Sequence, residues 1–71
     1  MRLFLHHEAK PHLDCEVLAY DADTHVARLQ QLNGSVYVDH SFHPYLLKRC
    51  GYVLTQDTPE KFKETHDAQQ S

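Results

Sequence analysis

Seventy-one residues, 41% of them apolar, make one domain with a thin core, and a core of this size seldom supplies more than roughly 3–5 kcal/mol. Seven basic residues against ten acidic ones leave a net charge of −3, which speaks against a general nucleic-acid binder, whose domain is strongly basic. No apolar run reaches the roughly 18–20 residues of a membrane span, and Met1–Leu5 runs into His6, His7 and Glu8 too soon for a signal peptide.

The expected setting is therefore the cytoplasm, with no membrane partner and with Cys15 and Cys50 reduced.

In chain order, Met1 to His7 predicts an opening strand, with Leu3, Leu5 and His7 on one side and Arg2, Phe4 and His6 on the other. Glu8-Ala9-Lys10-Pro11 breaks it, because Pro11 lacks an amide donor and holds Lys10 extended. From Glu16 to Phe42, three β-branched and aromatic runs are separated by Asp21-Ala22-Asp23-Thr24 and by Asn33-Gly34, the pattern of a three-stranded antiparallel meander.

Read as a two-residue type I′ turn, Asn33-Gly34 sets Leu29 against Val38, Gln31 against Val36 and Arg28 against Asp39. A first turn centred on Ala22-Asp23 sets Tyr20 against His25, Leu18 against Ala27 and Glu16 against Leu29. The expected core face then carries Leu18, Tyr20, Ala27, Leu29, Val36 and Val38, with His25 and His40 at its end. The other face carries Val17, Ala19, Val26 and Tyr37 among Arg28, Gln30 and Asp39.

His43 to Gly51 predicts a two-turn helix over the core face. Pro44 suits its first position, Lys48 and Arg49 its last turn, and Gly51 the left-handed position beyond. Leu46, Leu47 and Cys50 fall on one side of it. Tyr52 to Thr55 follows as a strand returning to the sheet.

The domain is expected over 1–57, and 58–71 is read as a short helix or flexible tail: Thr58-Pro59 can start a helix, but only Phe62 and Ala68 anchor it. The fold class is α+β, a curved antiparallel meander of three to five strands with one short helix. An SH3-like small barrel is one way to close such a sheet, by analogy.

Histidine is over-represented at seven residues, and protonating all of them would move the net charge from −3 to +4. His12-Leu13-Asp14-Cys15 and His40-Ser41-Phe42-His43 are two pairs of zinc-ligand types, each with two residues between ligands. A site built from His12, Cys15, His40 and His43 would staple a small core, but neither pair is Cys-x2-Cys, and a His-rich chain produces such spacings by chance.

Catalysis is not expected, and no organic cofactor is implied. Cys15 stands between Asp14 and Glu16, and Cys50 ends a helix, both of which disfavour a thiolate. Gly34 and Gly51 are taken by turns, which leaves no phosphate loop. Asp39 and His40 adjoin on a strand and point to opposite faces, so the one does not orient the other.

Tyr37, Tyr45 and Tyr52 with Lys48 and Arg49 could stack and grip a single-stranded nucleic acid, yet the basic residues are scattered. The reading that remains is a non-catalytic protein–protein module, acting on a larger protein or on itself. Its expected contact residues are Val17, Val26, Arg28 and Tyr37, on a sheet face more apolar than water requires. Compact chains of this size often serve as accessory or inhibitory proteins, including those of phages and mobile elements.

Overall fold

The computed structural model describes residues 2–62. Five strands form one antiparallel sheet: β1 (Leu3–His7), β2 (Cys15–Asp21), β3 (Val26–Gln31), β4 (Val36–Asp39) and β5 (Tyr52–Thr55). Their order across the sheet is β4-β3-β2-β1-β5. A 3-10 turn, Pro11–Leu13, links β1 to β2, and helix α1 (Pro44–Arg49) links β4 to β5.

The α+β meander and the returning strand are as expected. The sheet is open: β4 and β5 are its edges, and no pairing joins them among the described residues, so barrel closure is not seen.

Helix α1 follows from its ends. Pro44 occupies the first turn, Lys48 and Arg49 the last, and the Cys50 amide closes onto the Leu46 and Leu47 carbonyls. Gly51 then turns the chain at φ +96°, a conformation that costs an L side chain about 1 kcal/mol or more. Only Leu47 of this helix packs against the core cluster; Leu46 and Cys50, expected beside it, are exposed.

Both hairpins differ from the expected two-residue turns, and the difference reassigns the faces. Asn33 lacks the positive φ that a type I′ turn demands. Instead the Gly34 amide bonds to the Gln31 carbonyl at 3.0 Å, the Gln31 amide bonds to the Ser35 carbonyl at 2.8 Å, and Gly34 alone is left-handed at φ +90°. The loop is thus Leu32-Asn33-Gly34, one residue longer than expected.

One extra residue moves a strand's whole side-chain set to the other face. Leu29 therefore faces Tyr37, and Arg28 faces Val38 instead of Asp39. Val36 and Val38, expected in the core, are 50% and 47% exposed.

The first hairpin closes through Asp21 and Val26, with His25 left-handed at φ 58°. Its pairing slips by one residue between Val17 and Ala19, a bulge at Leu18. Val17 consequently faces Leu29 and is buried, while Leu18 is exposed.

The core lies on the face formed by Leu5, Cys15, Val17, Ala27 and Leu29, capped by Phe42 and flanked by Leu3, Leu47 and Tyr52. A smaller packing site lies on the opposite, back face. There Phe4 is fully buried against Phe62, ring centroids 5.1 Å apart, and Arg2 lies 4.9 Å over the Phe4 ring while pairing with Glu16. Residues 60–62 begin a helical turn, so the expected tail contributes Phe62 to this site. The rest of that expected tail, 63–71, falls outside the described residues.

Candidate functional site

Three side-chain clusters and one uncovered surface are candidates. The first cluster is organised by Asp14, which enters β2 buried to 3% exposure. Its carboxylate accepts the His7 amide at 2.8 Å and lies 2.9 Å from His6 Nδ1. A carboxylate only accepts, so Nδ1 of His6 carries the hydrogen. The His7 ring turns inward, its edge against Tyr52, and its Nδ1 accepts the amides of Ala9 and Lys10. These bonds hold the β1–β2 connection in place.

The second cluster lies on the core face. Cys15 and Tyr37 share this face, and burial pushes the Cys15 thiol up to about 11 and the Tyr37 phenol to about 12. A thiol so raised is a poor nucleophile near neutral pH. Tyr52, on the opposite edge strand, is also raised, first by its own burial and then by the charge of Cys15.

The third cluster joins the first hairpin to the start of α1. His25 and His43 stack with centroids 3.9 Å apart, Tyr45 meets His43 edge-on, and the Phe42 amide bonds to the His25 carbonyl at 2.8 Å.

The expected zinc ligands do not assemble here. Cys15 is in the core beneath Tyr37, His12 is exposed on the 3-10 turn, His40 is exposed, and His43 is stacked on His25. Among the described residues no group of three or more His, Cys, Asp or Glu side chains is placed to hold a metal ion.

The four expected contact residues divide between the two faces. Val17 is core and Tyr37 shares its side of the sheet, whereas Val26 and Arg28 lie on the back. The bulge at Leu18 and the three-residue Leu32–Gly34 loop are the cause. The stacking tyrosines are likewise dispersed: Tyr37 on Cys15, Tyr52 on His7, Tyr45 on α1.

The back of β2–β4 joins Ala19, Val26 and Arg28, expected on this face, to Val36 and Val38, which residue patterning placed in the core. Arg28 lies between Ala19 of β2 and Val38 of β4, with Val26 on the same face of its own strand. Val36 stands opposite Gln30 on this side. Leu18 at the bulge is also 42% exposed.

Sequence reasoning missed the roles of Asp14 and Phe42 and the packing of Phe62 on Phe4. Phe42 had a readable signal: it immediately precedes the helix cap His43 and stands five residues before Leu47, the two positions whose contact, a hydrophobic staple, fixes a helix's entry angle. Asp14 had the general preference of Asp for bonding nearby amides. Phe62 was legible as an apolar anchor, but its pairing with Phe4 had no local signal, since the two are remote in sequence.

Comparison with protein-family models, with curated proteins and with solved structures finds no match.

Proposed function

We propose that this chain is a non-catalytic protein-interaction module whose contact surface is the back of β2–β4 together with the β4 edge. The observation that carries the reading is the exposure of Val36 and Val38, 50% and 47%, on an edge strand. An edge strand offers unpaired amides and carbonyls, and apolar side chains beside them favour strand addition by another chain. Arg28, an interface-enriched residue type, stands among Ala19, Val26 and Val38.

The strand order and the helix before the last strand support an SH3-like curvature, as an analogy. Such a sheet would offer a rigid platform at its β4 side.

The test is capture of a protein partner by the wild-type chain and by Val26→Asp and Val38→Asp. Loss of capture with an unchanged circular-dichroism spectrum and melting temperature supports the reading. Undiminished capture by both variants defeats it.

A further inference from the structure

The interaction surface proposed above ends on a strand that is symmetric in sequence. β4 reads Val36-Tyr37-Val38-Asp39, and its first three residues form a palindrome about Tyr37. We propose that the occupant of the β4 edge is a second copy of this chain, paired antiparallel about a two-fold axis through Tyr37. The inference rests on the reading of this side as the contact surface and names its partner.

Geometry restricts the pairing. Residues directly opposite in an antiparallel ladder point to the same side of the sheet. Tyr37 and Asp39 belong to the core side, across from Leu29 and Ala27, and Val36 and Val38 to the back. For the two cores to continue on one side, Tyr37 must face Tyr37 or Asp39 of the second copy, not Val38.

An axis through Tyr37 sets Val36 against Val38 of the second copy twice, burying all three apolar residues. It also keeps the two Asp39 carboxylates about 13 Å apart along the strands, from a rise of about 3.3 Å per residue. An axis through Val38 would set Tyr37 against Asp39, and one through Asp39 would oppose two like charges.

β4 is guarded only by its shortness and by Asp39 at its end. It has no Lys or Pro, and its pairing with β3 is regular, without a bulge. Val36, Tyr37 and Val38 are 50%, 41% and 47% exposed. A four-residue edge buries less than the roughly 1,200–2,000 Å² of a stable complex, so the dimer is weak, with a dissociation constant of about 10 µM to 1 mM.

Sedimentation equilibrium of the full chain up to about 1 mM tests this, with Val36→Lys and the double variant Val36→Lys/Val38→Glu alongside. Circular dichroism checks that each variant folds. The expected result is a reversible wild-type dimer, weakened roughly tenfold by Val36→Lys. The double variant recovers it, because the two substituted positions face each other across the axis.

A dimer that Val36→Lys leaves unchanged, or that Val38→Glu fails to restore, overturns the pairing. A chain monomeric throughout but still capturing a partner through Val38 overturns self-pairing alone. Monomer and no Val38-dependent capture overturn both this inference and the interaction reading.

Discussion

Cys15 and Tyr37 lie on the core face of the sheet, and their burial has a consequence at alkaline pH. Burial raises the thiol from 9.0 to about 11 and the phenol from 10.0 to about 12. Both groups are neutral when protonated, so the folded chain holds its protons where the unfolded chain has already released them. Their contribution to stability is intact below pH 9, the ordinary value of the thiol, and declines as pH rises through the folded values. Urea midpoints are expected to fall from about pH 9 upward, and Tyr37→Phe should flatten the part of the decline between about pH 10 and 12. An identical decline in that variant would show that Tyr37 takes no part in it. At this scale the sequence was only partly legible. The acidic neighbours of Cys15 were visible, but its burial under Tyr37 depends on which face β4 turns inward, and that is decided by a loop.

At the scale of elements, the two positive-φ glycines do different work. Gly34 has open space where a Cβ would go, so Gly34→Ala meets backbone strain alone, about 1 kcal/mol. Gly51→Ala meets the same strain and also sets a Cβ 3.2 Å from His7 Nε2. That ring is held by the Ala9 and Lys10 amides and by Tyr52, so it cannot yield freely. Gly51→Ala is expected to lower the melting temperature more than Gly34→Ala; equal losses would mean that the His7 ring gives way without cost. Elements themselves were legible because their signals are local. Pro44, Lys48, Arg49 and Gly51 bracket α1, and short apolar runs, Leu3-Phe4-Leu5 and Tyr52-Val53-Leu54, mark β1 and β5. Register was not, because Asn33-Gly34 serves a two-residue loop and the end of a three-residue one equally well. The choice carried Val36 and Val38 from core to surface.

For the whole molecule, the back face decides where the domain ends. Leu5 and Leu54 pair across β1 and β5 near α1, while Phe4 turns the other way and meets Phe62. With Phe4 at 0% and Phe62 at 5% exposure, this contact belongs to the folded unit, although a sequence boundary at 57 would cut it off. A boundary inferred from sparse apolar anchors misses a single aromatic that closes a distant site. Phe62→Ala removes the ring that packs on Phe4, at an expected cost of about 3 kcal/mol. Set against roughly 3–5 kcal/mol for a core of this size, that loss should populate the unfolded state at room temperature. Phe62→Leu keeps part of the packing and should lose less. Equal urea midpoints for Phe62→Ala and the wild type would place Phe62 outside the folding unit and return the domain boundary to residue 57.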